Sequence, residues 1–89
     1  MKTHHLKTEP KYFEEVRYNK KKFELRKNDR DFQVNDTLVL QEYDRETKQY
    51  SGSSVSATVT YILHEYNTAL HEDYCIMSID VFDINDDNL

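Results

Sequence analysis

The segment 21–32 constrains the fold most, because charged and apolar side chains alternate at its start. It holds five cations, three carboxylates and two aromatic rings in twelve residues. If residues 22–26 form a β-strand, successive side chains point to opposite faces. One face carries Phe23 and Leu25, and the other carries Lys22, Glu24 and Arg26. The pattern therefore predicts an apolar face in the core and a charged outer face suited to an anionic, planar ligand.

The residues before this segment predict one early helix. Thr8 can cap a helix of about ten residues, in which Pro10 fits the first turn. Phe13 and Val16 lie three apart and form one apolar stripe on that helix. Asn19 follows the stripe and can take the left-handed conformation that is usual at a helix end.

Alternation and β-branched residues predict a set of short strands. They cover residues 4–7, 21–26, 38–43, 55–63 and 74–82. A turn is expected at Asn35–Asp36, a polar hairpin connection over Asp44–Gly52 and a loop over His64–Asp73. Five or six short strands with one early helix predict an α+β fold, in the form of a small and partly closed β-barrel.

The length of 89 residues predicts a single domain, which we place at residues 1–83, followed by an acidic C-terminal tail at 84–89. Charge is uneven along the chain. Residues 1–30 hold ten Lys or Arg against five Asp or Glu, whereas residues 31–89 hold two against twelve. The asymmetry favours an interaction surface in the first third of the chain, unless the charges mix on folding. The acidic remainder would repel nucleic acid and confine binding to one face.

Several classes of protein are disfavoured by the sequence. A single cysteine excludes an internal disulfide, nothing resembles a signal peptide, and the apolar runs are too short to span a bilayer. We therefore expect a cytoplasmic protein without a membrane partner. The four histidines match no metal-ligand spacing, and a single glycine leaves no phosphate-binding glycine loop, so neither a metal nor a cofactor is predicted. Phe32 and Cys75 are assigned to the core.

Four segments, taken in order, resemble the ASCH domain superfamily and, more narrowly, its short bacterial and phage branch, DUF3850. They are residues 25–34, 40–44, 59–63 and 76–79. The resemblance covers residues 3–80. It implies that the domain at 1–83 is a PUA-like β-barrel, a fold used widely to bind RNA.

The signature of that superfamily, G-x-K-x-x-T-x-R, falls on residues 19–26. Lys21 and Arg26 match it, and Asn19 replaces the Gly while tolerating the same left-handed turn. Glu24 replaces the Thr, which is catalytic together with the Lys in an amidohydrolase branch that acts on acetylated cytidine. Because this hydroxyl nucleophile is missing, the resemblance implies the fold and a ligand face rather than that reaction.

The candidate ligand-binding residues are Lys21, Glu24, Arg26, Arg30 and Tyr43. The three cations suit phosphate or carboxylate, and Arg26 can offer a bidentate fork. Glu24 has two alternative roles: it holds the Arg26 guanidinium in place, or it accepts a hydrogen bond from the exocyclic amine of a base. Tyr43 is a candidate platform for stacking a base.

Three functions stay open at this point. The leading one is a non-catalytic module that binds RNA or a nucleotide-like ligand in a basic cleft between the early helix and the barrel. The second is an amidohydrolase-like enzyme on a modified nucleoside, with Lys21 and Glu24 as the acid–base pair. The third is a small phage or bacterial regulator that docks on a protein partner through its acidic half. Exposed edge strands in an open barrel would also allow a homodimer.

Overall fold

We describe residues 1–64 and 69–86 of a computed structural model of the 89-residue chain. These residues form one helix and five strands, in keeping with the predicted α+β class. In chain order the elements are β1 (Thr3–Thr8), α1 (Pro10–Arg17), β2 (Phe23–Lys27), β3 (Thr37–Asp44), β4 (Gln49–Leu63) and β5 (Tyr74–Asn85).

The five strands form one sheet in the order β1-β3-β4-β5-β2. Strand β1 pairs parallel with β3, whereas β3–β4, β4–β5 and β5–β2 pair antiparallel. The sheet curls into a half-barrel and does not close, so the predicted barrel is realised only in part. Its two edges, β1 and β2, both come from the first third of the chain.

The core lies inside the curl and is built from alternate residues of the strands. Helix α1 adds Phe13 and Val16 to it, as its apolar stripe predicts. Phe32 and Cys75 are also buried there, which confirms their assignment to the core. Burial raises the pKa of the Cys75 thiol, because a thiolate would lose its hydration. Full burial of a side chain such as Phe13 or Val16 typically contributes about 1.5–3 kcal/mol to the free energy of unfolding.

The helix begins differently from the prediction. Glu9, rather than Thr8, is the N-cap residue, and its side chain makes no capping hydrogen bond. Thr8 is the last residue of β1, where its hydroxyl accepts a hydrogen bond from Arg26. The prediction of Thr8 as the cap is therefore wrong, because tertiary contacts use that hydroxyl. Asn19 does adopt the left-handed conformation, with φ of 63°, and confirms the predicted helix end.

The connection between β3 and β4 is shorter than predicted. Strand β4 begins at Gln49, so residues 49–52 belong to a strand, and the turn spans residues 45–48. The hairpin extends this far because Tyr43 and Tyr50 pair across the two strands. The loop predicted over His64–Asp73 lies partly outside the described residues, and its described part, His64 and residues 69–73, contains no strand or helix.

The acidic end of the chain is tied to the rest of the fold. Strand β5 runs to Asn85, past residue 84, where the tail was expected to begin. Asp86 forms an ion pair with Arg17 of α1 and accepts a hydrogen bond from Ser53 Oγ at 3.0 Å. Residues 87–89 of the predicted tail lie outside the described residues.

A buried hydrogen bond between a histidine and a carboxylate joins β1 to the start of β3. His4 Nε2 lies 2.8 Å from Asp36 Oδ2, and the two side chains are 7% and 2% exposed. The backbone N–H groups of Lys2 and Gln33 also donate to the Asp36 carboxylate, each at 3.0 Å. The sequence predicts only a turn here. The turn is present, and Asn35 adopts the left-handed conformation in it, with φ of 78°. The sequence does not reveal that the carboxylate is an organising centre of the fold.

Candidate functional site

Strand β2 presents the opposite face to the core from the one predicted. Its side chains alternate as expected, but Glu24 points inward and is only 3% exposed. Phe23 and Leu25 lie on the outer face and are 46% and 52% exposed. The prediction assumed that the apolar side chains occupy the buried face. It is wrong because two neighbouring cations compensate the buried charge of Glu24.

Glu24 lies between those two cations. Lys21 Nζ donates to Glu24 Oε1 at 2.8 Å, and Arg26 Nε donates to Glu24 Oε2 at 3.0 Å. A buried carboxylate is strongly unfavourable unless it is paired and hydrogen-bonded, and both oxygens are satisfied here. Glu24 therefore holds an ammonium and a guanidinium at fixed positions, which is the first of its two alternative roles. Both of its oxygens already accept hydrogen bonds from these cations, and the side chain is buried.

Arginine side chains bridge the gap between the two edge strands. Arg26 Nη2 donates to the carbonyl of Lys7 at 3.0 Å and to the hydroxyl of Thr8 at 3.1 Å. Arg30 Nη1 donates to the carbonyl of His5 at 3.0 Å. All three acceptors belong to β1. We call this set of contacts the seam, because it joins the edges of the half-barrel through side chains where the backbone ladder ends.

An open groove of about 460 Å³ lies beside the seam, between the start of α1 and β2. Its positively charged lining residues are Lys7, Lys21, Arg26, Lys27 and Arg45. Its two carboxylates are both ion-paired: Glu24 as described, and Glu9 with Arg45 Nε at 3.3 Å. Five cations against two carboxylates leave the groove positively charged in a molecule whose net charge is −5.

Aromatic rings surround the ammonium group of Lys21 at one end of the groove. Lys21 Nζ lies 4.9 Å from the ring centroid of Phe23 and 5.7 Å from that of Tyr12. These distances are within the range of cation–π attraction. Both rings are exposed, and Tyr74 adds a third ring to the lining. This end therefore offers ring faces and a positive charge together.

A second aromatic pair lies next to the groove at the β3–β4 hairpin. The ring centroids of Tyr43 and Tyr50 are 4.8 Å apart, with a tilt of 59° between the rings. Lys7 Nζ lies 4.5 Å from the centroid of Tyr43. Because Lys7 also lines the groove, this pair is continuous with it.

The structure brings three of the five candidate residues together. Lys21, Glu24 and Arg26 all line the groove. Tyr43 is connected to it through Lys7, whereas Arg30 contributes to the seam and is absent from the lining. Helix α1 contributes Tyr12 to the lining of the same groove.

Sequence reasoning missed other residues of the groove. Lys7 carried a usable signal, because it alternates with Leu6 and Thr8 on a strand and must point away from the core. Lys27 extends the same alternation along β2 by one residue beyond the predicted strand. Arg45 lies in the hairpin turn, and nothing in the local sequence connects it with α1.

The described residues show neither a metal cluster nor a membrane-spanning helix. No group of three or more His, Cys, Asp or Glu among residues 1–64 and 69–86 is arranged to hold a metal ion. Over the same ranges, no helix is both long enough and apolar enough to cross a bilayer. What the groove offers is hydrogen-bond donors, positive charge and ring faces.

Comparison with known proteins identifies a matching family and a curated relative. A family model described as "Domain of unknown function (DUF3850)" matches residues 3–79, which include both edge strands and α1. A curated relative, "Uncharacterized 12.9 kDa protein in GpA 3'region" of Escherichia phage P2, is 39% identical over 59 residues. The alignment covers 66% of this chain and 52% of the relative, so the chain spans about half the length of the curated relative that it matches.

Proposed function

The chain belongs to the DUF3850 family, and from this premise we propose that it is a non-catalytic module that binds RNA or a nucleotide-like anion in the groove between α1 and β2. The observation that carries the proposal is the convergence of five cations beside exposed aromatic rings. Cations neutralise phosphates, and ring faces stack on bases. The resemblance of the sequence to the ASCH superfamily supports the same conclusion, because its PUA-like barrel is used widely for RNA.

Arg26 is the residue best placed to meet a phosphate. Its Nε and Nη2 atoms are engaged by Glu24 and by β1, which fixes the plane of the guanidinium. Among the described residues, its Nη1 atom has no hydrogen-bond partner. An arginine that is already oriented loses little conformational freedom when it binds an anion. Arg26 therefore offers Nη1 to the ligand from a fixed position.

Lys21 and Lys27 extend the positive surface on either side of Arg26. Lys21 is anchored by Glu24 and by the carbonyl of Phe23, at 2.8 and 2.9 Å. Lys27 is exposed and lies on the outer face of β2. We assign a fixed contact to the first of these lysines and a mobile, purely electrostatic contact to the second.

The proposal assigns no chemical step to the groove. The Lys21–Glu24 contact has the appearance of an acid–base pair, but Glu24 is buried, and its other oxygen accepts from Arg26. A general base must reach the proton that it removes from a substrate. The geometry therefore favours Glu24 as a support for two cations over Glu24 as a base.

The proposal predicts salt-dependent binding that depends on the groove cations. Short RNA and DNA pools would be titrated by fluorescence anisotropy at low and near-physiological salt. For single strands, each lost phosphate contact should make the negative slope of log affinity against log salt shallower by about 0.7. Lys7→Ala/Lys27→Ala should therefore make it shallower by about 1.4. Affinity for RNA should fall about tenfold or more. Lys21→Ala/Arg26→Ala should abolish binding. Its unfolding has to be measured in parallel, because this variant also removes both cations that pair with the buried Glu24 carboxylate.

The matched control is Lys20→Ala/Lys22→Ala, which removes the same charge from exposed positions outside the groove. It should retain wild-type affinity to within about twofold, since it leaves every proposed phosphate contact intact. Equal losses in the control and in Lys7→Ala/Lys27→Ala would show that net charge, rather than the groove, governs binding. Full affinity in the groove variant would contradict the proposal.

A further inference from the structure

We infer that the ligand of this site is a single-stranded oligonucleotide rather than a free nucleotide, and that it continues from the groove onto the Tyr43–Tyr50 pair. The inference rests on the proposed function and extends it beyond the groove lining. It comes from the positions of Lys7 and Arg45, which connect the groove to the β3–β4 hairpin.

Lys7 belongs to both surfaces. Its side chain lines the groove, and its ammonium lies 4.5 Å from the ring centroid of Tyr43. Arg45 also lines the groove, and it is the first residue of the turn that separates Tyr43 from Tyr50 along the chain. Lys7 and Arg45, the second of which is paired with Glu9, therefore place positive charge between the seam and the hairpin, as a phosphate backbone requires.

The two ends of this path have the same chemistry. At one end, the rings of Tyr12 and Phe23 accompany the ammonium of Lys21. At the other end, the rings of Tyr43 and Tyr50 accompany the ammonium of Lys7. A free nucleotide has one base and can occupy only one of these platforms. A strand of several nucleotides can place bases on both and its phosphates on the cations between them.

The path also selects single strands over duplexes. Bases that stack on protein rings must be unstacked from their neighbours, and bases inside a duplex are not available for this. The path is built from ring faces and positively charged side chains, which tolerate any base sequence. Ribose and deoxyribose strands share this chemistry, so binding to each of them has to be measured.

A packing role for the tyrosine pair is the competing explanation, because cross-strand aromatic pairs stabilise hairpins. Such a role does not require Tyr50 to face solvent, yet its side chain is 52% exposed. It also does not require a lysine from β1 over the neighbouring ring. The test must therefore separate the ring as a stacking surface from the ring as hairpin packing.

The experiment compares wild type, Tyr50→Ala, Tyr50→Leu and the control Tyr61→Ala. Tyr61 is a second exposed tyrosine of β4, 61% exposed and outside the groove. The probes are a mononucleotide, single strands of about four, eight and twelve nucleotides in RNA and in DNA, and a duplex of the longest. Binding is measured by anisotropy, and unfolding is measured in urea for each variant.

Wild-type affinity should rise about tenfold or more from the mononucleotide to the longer strands, and the duplex should bind more weakly than its separated strand. Tyr50→Ala and Tyr50→Leu should each lower the affinity for the longer strands by about 5- to 150-fold, the range for loss of one stacked base, without changing that for the mononucleotide. Tyr61→Ala should leave every affinity unchanged. Stronger binding of the RNA strands identifies RNA as the ligand, and stronger binding of the DNA strands identifies DNA. Equal binding shows that the path does not distinguish the two sugars. Each of these results supports the single-strand assignment.

Five results would overturn the inference. Wild-type affinity that is independent of length, or a preference for the duplex, excludes the extended path. Full recovery of affinity in Tyr50→Leu shows that hairpin packing, rather than stacking, was lost in Tyr50→Ala. Unchanged binding in both Tyr50 variants, with loss in Lys7→Ala/Lys27→Ala, removes the extension but leaves the proposed function standing. Absence of wild-type binding to any probe removes both.

Discussion

Replacing Asp36 with asparagine is expected to lower the free energy of unfolding by about 2–4 kcal/mol. The carboxylate accepts from the Lys2 and Gln33 backbone N–H groups and from the His4 ring, all within 3.0 Å. An amide of the same shape turns one acceptor into a donor and removes the charge that pairs with His4. Urea unfolding followed by circular dichroism would measure the loss. Asp29→Asn, at an exposed loop position, should change the free energy by no more than about 0.5 kcal/mol.

The same carboxylate gives stability a defined pH dependence. Burial works to raise the pKa of Asp36, but hydrogen bonds from Lys2, His4 and Gln33, together with the charge of His4, outweigh it, and the pKa lies below its ordinary value of 3.8. The unfolded chain therefore takes up this proton first. The contribution of Asp36 is fully present above about pH 3.8 and is lost as pH falls through the lower, folded-state pKa. Asp36→Asn should show a flatter stability profile in this acidic window, and an unchanged profile would contradict the assignment.

Glu24 and Arg26 are expected to be strongly coupled in a double-mutant cycle. Arg26→Met should lower the free energy of unfolding by about 2–3 kcal/mol, because it leaves buried Glu24 with one cation and breaks the contacts with β1. Glu24→Met should also destabilise, since it leaves two cations side by side without their anion. The double variant should be more stable than the sum of the two losses predicts, by about 1–3 kcal/mol. Urea unfolding of all four proteins measures this coupling.

Two comparisons decide whether the coupling has the stated origin. Lys22→Met removes an exposed cation from the residue just before β2 and should change stability by no more than about 0.5 kcal/mol. The double variant should still fall short of wild type, because the hydrogen bonds from Arg26 to Lys7 and Thr8 are not restored. Strict additivity of the two substitutions would show that the contact seen between Glu24 and Arg26 contributes nothing to stability.

Local patterns predict the interior of most elements well. Phe13 and Val16 are buried because a helix brings residues three apart to one face. Residues 38–43 form a strand, within β3, because alternation and β-branched residues favour one. Asn19 ends the helix because its side chain tolerates positive φ. Each of these conclusions needs only neighbours in the sequence, and each is confirmed.

The site could be predicted only in part, because tertiary partners decide which face of a strand is buried. Phe23 and Leu25 carry the apolar signal, yet Glu24 occupies the interior because Lys21 and Arg26 compensate its charge. Charges placed at −3 and +2 from a carboxylate are a usable hint of such compensation. The pairing of His4 with Asp36 joins residues 32 apart in sequence, and no local pattern reports it. The groove is likewise a product of several elements meeting.

The topology has a consequence for the kinetics of folding. Strands β3, β4 and β5 pair in chain order, whereas the edge strands pair at long range, for example His4 with Leu38 and Phe23 with Ser78. Closing long loops costs entropy before contacts repay it, so the meander of β3, β4 and β5 is expected to form first and the edges last. The groove lies against those late edges. A ligand held there stabilises contacts that are absent from the transition state, so it should slow unfolding and leave the folding rate almost unchanged.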